Sequence, residues 1–138
     1  MENYFEPQMT RAEINQISAL GLAHCGDAVF ELLVRTWLCA HGGVKAKDLH
    51  RATVKYVAAP AQAERFERIE SILTEQEHDV FRRGRNTAPH SVPKAATRGQ
   101  YQTATGLEAL FGWLYLQGQT DRLNELFEAM MADDLDVK

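Results

Sequence analysis

No run of about 18 consecutive apolar residues occurs in this 138-residue chain, because Asp27, Glu31 and Arg35 interrupt the richest one, and a membrane-spanning helix is thereby excluded. No charged and apolar leader of the secretory kind opens the sequence, and Cys25 and Cys39 show no CxxC spacing. Both read as reduced, buried thiols of a soluble cytoplasmic protein. No segment sustains the period-2 alternation that a half-buried strand needs, so the chain is expected to be all-α. There is no internal repeat. With 45% hydrophobic and 25% charged residues, the length suits one compact domain with no room for a second. That domain is taken as residues 1–138, with its core at about 11–132.

The excess of acids, a net charge of -4, argues at first against a polyanionic partner, but the charge is uneven. Residues 1–44 hold two basic and five acidic side chains, residues 45–100 eleven and seven, and residues 101–138 two and seven. Within the basic middle, residues 82–98 carry Arg82, Arg83, Arg85, Lys94 and Arg98 and no acid. A local cationic arm on an acidic body permits phosphate contacts that the whole-molecule field opposes. Cations at the end of a helix also suit its dipole, so a purely structural role stays open for these arginines.

The spacing predicts a short helix at 11–18 and a long, central one at 20–40 that turns Leu20, Ala23, Phe30 and Val34 inward and is ended by Gly42-Gly43. A third helix at about 46–58 places Leu49, Ala52, Thr53 and Tyr56 inward, with Arg51 and Lys55 outward. Pro60 suits the first turn of a fourth, to about Leu73. Thr74 and Glu77 have the form of a capping box opening a fifth, which Gly84 should stop. Residues 85–99, with Pro89, Pro93 and Gly99, read as one long loop. A sixth helix at about 100–117 is apolar at Ala104, Leu107, Leu110, Phe111 and Leu114. Thr120 caps a seventh, to about Ala132, with a frayed acidic end.

Two carboxylates stand in helices otherwise committed to the core. At 100° per residue Asp27 shares a stripe with Ala23, Phe30 and Val34 and should face the packed side. Glu108 lies on the flank shared with Tyr101, Thr105, Gly112 and Tyr115, an edge that can look into a cleft. Burying a charge is costly unless it is paired or binds a metal. Spacing alone leaves open that Asp27 is a hydrogen-bonded structural acid and Glu108 a solvated one. His24, one turn before Asp27, either orients it or is a satisfied core histidine. The five histidines show no zinc-type spacing. Trp37, Phe111, Trp113 and Tyr115 read as core or subunit contacts rather than base-stacking platforms.

The segment Gly26-Asp27-Ala28-Val29-Phe30-Glu31-Leu32 resembles the signature helix of the ribonuclease III family. Glu108-Ala109-Leu110-Phe111-Gly112 with Tyr115-Leu116 resembles its second acidic helix. Four further segments are similar to the Mini-ribonuclease III branch, in which the nuclease domain stands alone: Leu20-Gly21-Leu22-Ala23; Leu49-His50 through Val57-Ala58-Ala59 and Gln62-Ala63; Arg82-Arg83-Gly84-Arg85-Asn86; and Tyr101 leading into Ala104-Thr105. The likeness covers roughly residues 15–128.

That resemblance implies a two-fold homodimer, without a separate double-stranded-RNA-binding domain, that hydrolyses phosphodiesters of double-stranded or structured RNA with magnesium. It would leave 5′-phosphate and 3′-hydroxyl ends and short 3′ overhangs, and mature the ends of 23S ribosomal RNA precursor; with so few phosphate contacts, specificity would be borrowed from RNA shape or from a large-subunit ribosomal protein as a further partner. Asp27 and Glu108 match the family's catalytic, metal-holding acids. Magnesium takes hard oxygen ligands, which two carboxylates from different helices supply. Glu31, one turn after Asp27, is a candidate water-mediated ligand, although an acid at i+4 is often merely exposed. Arg82, Arg83, Arg85, Lys94 and Arg98 would grip phosphates across the shallow groove of A-form RNA; Arg51 and Lys55 extend the track or form an ordinary solvated face. The larger family has a glutamate where this chain has Ala23 and an aspartate where it has Thr105, so weaker magnesium affinity and slower turnover are expected. The missing acids keep alive a catalytically weak or inactive RNA- or ribosome-binding helical dimer. A hydrolase of small phosphorylated substrates is the third reading.

Overall fold

A computed structural model describes residues 3–89 and 94–136, which form seven α-helices and, among the described residues, no strand. Thr10 and Glu13 close a capping box that opens α1, Arg11–Ile14. The predicted helix at 11–18 is only this one turn, because the Ser18 hydroxyl accepts from Gly21 N at 3.0 Å and starts the next helix. That helix, α2, runs Ala19–His41 and ends where Gly42 and Gly43 take φ +66° and +83°. None of the helices among the described residues is long and apolar enough to cross a membrane.

A 3-10 turn at Ala46–Asp48 leads into α3, Leu49–Val57, so the predicted third helix is split at its start. Extended Ala58 precedes α4, Ala59–Phe66, with Pro60 in its first turn. This helix is shorter than expected. After it the chain tightens into 3-10 geometry at Glu70–Ile72, seating Ile69 in the core while Arg65 and Arg68 both donate to the Met130 carbonyl. Thr74 and Glu77 form the expected capping box of α5, Glu75–Thr87. Gly84 does not stop it: this glycine is a packing position inside the helix. Helix α6, Arg98–Leu116, starts two residues before the expected point from a capping box of Thr97 and Gln100. Arg85 and Arg98, assigned to the long loop, are therefore helical. After Gly118, at φ +76°, α7 runs Thr120–Asp136, four residues beyond the expected end, with Thr120 as its first residue rather than its cap.

Helix α6 is the axis of the domain and is packed by α2, α4, α5 and α7. Leu107, Leu110, Phe111 and Leu114 are fully enclosed, each burial worth about 1.5–3 kcal/mol. Phe30 meets the edges of Phe111 and Phe127 at ring distances of 5.7 and 6.1 Å, and Phe66 stacks on Phe81 at 4.0 Å. The α5–α7 seam is held by Arg122, which donates to both carboxylate oxygens of buried Glu77 at 2.7 and 2.8 Å and to the Ile72 carbonyl at 2.7 Å.

The inward face of α2 differs from the one counted on the sequence. Its buried line is Leu22, Ala23, Gly26, Phe30, Val34 and Leu38; Leu20 is exposed, and so are His24 and Asp27. The position of closest approach to α6 is a glycine, which carries no hydrophobic signal, so the apolar pattern placed the stripe about one residue off. The cysteines are likewise not both buried: Cys25 is half-buried and Cys39 exposed. On α3, Thr53 and Tyr56 point inward as expected, while Leu49 is at the surface.

Candidate active site

Asp27 and Glu108 belong to different helices, and two glycines decide how closely those helices meet. A methyl group added at Gly26 would stand 1.6 Å from the Glu108 carbonyl oxygen, and one added at Gly112 would stand 2.1 Å from the Leu22 carbonyl oxygen. No side chain fits either place, so α2 and α6 touch backbone to backbone. Asp27 follows one of these glycines and Glu108 precedes the other by one turn. Their carboxyl groups come close enough at the crossing for the charge of Asp27 to act on Glu108. Asp27 thus faces solvent rather than the packed side, and Glu108 is the half-buried member of the pair rather than a solvated edge residue.

Burial pushes the Glu108 carboxyl up to about 8; the charge of Asp27 and the hydrogen bond to it act in the same direction, and Gln62 opposes them. Two acids so placed cannot both ionise cheaply, and a divalent cation is the natural relief of that repulsion. The amide Nε2 of Gln62 donates to Glu108 Oε2 at 3.2 Å and to the Val57 carbonyl at 2.8 Å, while its Oε1 is buried without a partner. Hard oxygen donors converging with excess negative charge fit a magnesium-type ion. Among the described residues no three of His, Cys, Asp and Glu gather where they could hold a metal ion. Ala23 and Thr105 are both buried, and the Thr105 hydroxyl donates to the Tyr101 carbonyl at 3.0 Å within its own helix.

Glu31 shares the exposed face of α2 with Asp27, and its carboxylate is engaged by Arg35 at 2.7 Å. His24, also on that face, is no core histidine. Of the basic residues, Arg82 is paired with Asp79, Arg83 is exposed, and half-buried Arg85 lies over the Phe81 ring at 5.7 Å. A methyl at Gly84 would meet Ala109 Cβ at 2.7 Å, so α5 packs closely on α6 at this glycine. Lys94 and Arg98 are exposed; residues 90–93 of the acid-free stretch lie outside the described residues. On α3, Arg51 is 3.7 Å from Asp48 and Lys55 lies 5.7 Å over the Tyr56 ring, both exposed. Trp113 and Phe111 are core, and Trp37 stacks on His41 at 4.2 Å.

Gln62, which touches Glu108, carries no catalytic motif in the sequence. The available signal was positional: Gln62, Arg65, Phe66 and Ile69 form a buried line at helical spacing, and a glutamine on such a line needs a reason.

The family model described as "Ribonuclease III domain" matches residues 20–119, a span that contains both acids. The chain is 49% identical over 110 residues to the Mini-ribonuclease 3 of Symbiobacterium thermophilum, covering 80% of this chain and 85% of that protein. It is 36% identical over 137 residues to that of Clostridium tetani, covering 95% and 88%. A crystal structure of a Fusobacterium nucleatum protein superposes with a TM-score of 0.81 at 27% identity, covering 90% of this chain and 95% of that one. With the motifs, the helical fold and these likenesses in agreement, the chain belongs to the ribonuclease III family, in its Mini-ribonuclease 3 branch, and is an endoribonuclease.

Proposed function

We propose that this endoribonuclease cuts double-stranded or structured RNA with magnesium held between Asp27 and Glu108, as one catalytic domain over residues 1–138, and that its natural task is to mature the ends of 23S ribosomal RNA precursor. The observation that carries the metal-dependent reading is the backbone crossing at Gly26 and Gly112, which brings two carboxyl groups together, with burial and the charge of Asp27 raising the Glu108 pKa. Glu108 must release its proton before both oxygens can serve as ligands, so metal binding releases protons and strengthens as pH rises. Bound magnesium would stabilise charge on the phosphate and lower the pKa of an attacking water. The products would be 5′-phosphate and 3′-hydroxyl ends. With two acids rather than four, magnesium affinity and turnover should be lower than in larger members of the family.

Arg82, Arg83 and Arg85 on α5, with Lys94 and Arg98 further along the chain, would hold backbone phosphates, with Arg51 and Lys55 as an outer extension. So few contacts per protomer give weak, salt-sensitive binding. A homodimer is part of this proposal, supported by an apolar groove of 540 Å³ along α2, lined by Ala28, Val29, Leu32, Leu33, Tyr115 and Leu123, with Leu32 53% exposed. A second copy there would bury Leu32 and match the two backbones of a duplex. A large-subunit ribosomal protein is proposed as a further partner that presents the RNA. The test is cleavage of long duplex RNA at low salt in magnesium by the wild type and by Asp27→Asn. Binding without cutting by the wild type would favour an inactive RNA- or ribosome-binding dimer.

A further inference from the structure

Gln62 is 1% exposed, lies on the inner face of α4, and keeps its Oε1 without a partner, the one such buried side-chain atom among the described residues. Its other end is fully engaged. Nε2 reaches two acceptors at once, the Val57 carbonyl at 2.8 Å and Glu108 Oε2 at 3.2 Å. Turning the amide over would set Oε1 against both acceptors, so these partners fix its orientation. An unpaired buried carbonyl is unfavourable, and an apolar side chain of the same size would avoid it. The glutamine is therefore explained by what its amide nitrogen holds, not by how well it fills the core.

We propose that Gln62 is a positioning residue that fixes the Glu108 carboxylate toward Asp27. Glu108 reaches the pair on a longer, more freely turning side chain than Asp27 does, and a chain of that kind loses entropy whenever it is held in one geometry. The amide removes that freedom beforehand by tying Oε2 to the carbonyl of the last residue of α3. Helices α3, α4 and α6 thereby share one polar link at the site: Val57 on the first, Gln62 on the second and Glu108 on the third. Partners that orient metal ligands in this way act on affinity and rate without touching the substrate. The inference rests on the reading of Asp27 and Glu108 as the metal-holding pair.

The test compares full-length wild type, Gln62→Met, Gln62→Asn and Asp27→Asn. Manganese binding is measured by calorimetry without RNA, magnesium dependence by duplex cleavage, duplex binding in calcium, and folding by thermal denaturation. Methionine keeps the volume and removes the donor. Asparagine keeps the donor one methylene short. The expected result is a folded Gln62→Met with manganese affinity weakened roughly tenfold and the magnesium requirement raised in parallel. Gln62→Asn should show a smaller loss, and duplex binding in calcium should stay within about twofold. The proposal is overturned if a folded Gln62→Met, or a folded Gln62→Asn where the methionine variant does not fold, keeps wild-type manganese affinity and magnesium dependence. It is also overturned if neither variant folds, since Gln62 is then a structural residue. Manganese binding by the wild type but not by Asp27→Asn upholds the metal-holding pair whatever Gln62 shows. No binding by the wild type removes that reading and the proposal with it.

Discussion

Replacing Gly26 with alanine should damage stability and catalysis together. The added Cβ would lie 1.6 Å from the Glu108 carbonyl oxygen, where real contacts essentially never fall below 3.0 Å, so α2 and α6 must separate by the difference, about 1.4 Å. Neither side can yield locally, since the obstruction is helix backbone. A gap of 0.5–1 Å already forfeits roughly a quarter to a half of the dispersion energy of a contact. The opened interface includes Leu22, Phe30 and Val34 against Phe111 and its neighbours. The loss should resemble that of a large core truncation, about 3–5 kcal/mol, and lower Tm by roughly 10–20 °C in a domain of this size. Below that Tm, a displacement of about 1 Å between Asp27 and Glu108 should reduce kcat by about 10²-fold. The assay is thermal denaturation with single-turnover cleavage at a temperature where the variant is folded. Gly99→Ala is the control, because nothing lies within 4 Å of that Cβ position and an exposed helical alanine should leave Tm unchanged or raise it slightly. A Gly26→Ala protein with wild-type Tm and kcat would refute the crossing as the device that builds the site.

Glu108 is held protonated well above its ordinary 4.5, at about 8, so the folded state binds a proton the unfolded chain has already lost between those values. Metal-free stability should therefore be highest below about 4.5 from this group and fall as pH rises toward about 8, with a flatter Tm profile in Glu108→Gln and in saturating magnesium. Arg82→Ala and Arg83→Ala should each lower duplex affinity and reduce the slope of log affinity against log salt by about one, measured by filter binding, if each arginine holds one phosphate. An unchanged slope would make them surface charges only. Arg122→Met strands the carboxylate of Glu77 in the α5–α7 seam and should cost about 3 kcal/mol by chemical denaturation, while kcat at a permissive temperature is unchanged.

The helices were legible because their ends are written in side chains: Thr74 with Glu77, and Gly42-Gly43. Misplaced boundaries came from residues with two meanings. Gly84 reads as a helix stop, but here it is the place where α5 meets Ala109. Pro89, Pro93 and Gly99 suggested a loop to Gly99, whereas Thr97 and Gln100 start the helix earlier. Both candidate acids were visible as charges within apolar helices. The direction of Asp27 was not, because the centre of its helix's buried line is the silent residue Gly26. Gln62 was legible only as a polar residue on the buried line of α4; its contact with Glu108 joins residues far apart in sequence, which no local pattern encodes.

The most direct test of the central claim is cleavage of long duplex RNA, against the matched single strand, by wild type, Asp27→Asn and Glu108→Gln in magnesium at low salt, with duplex binding followed in calcium. The expected result is duplex-specific, magnesium-dependent cutting by the wild type, a loss of at least about 10³-fold in either variant, and duplex binding retained in all three. Cutting that persists in folded Asp27→Asn or Glu108→Gln would contradict it.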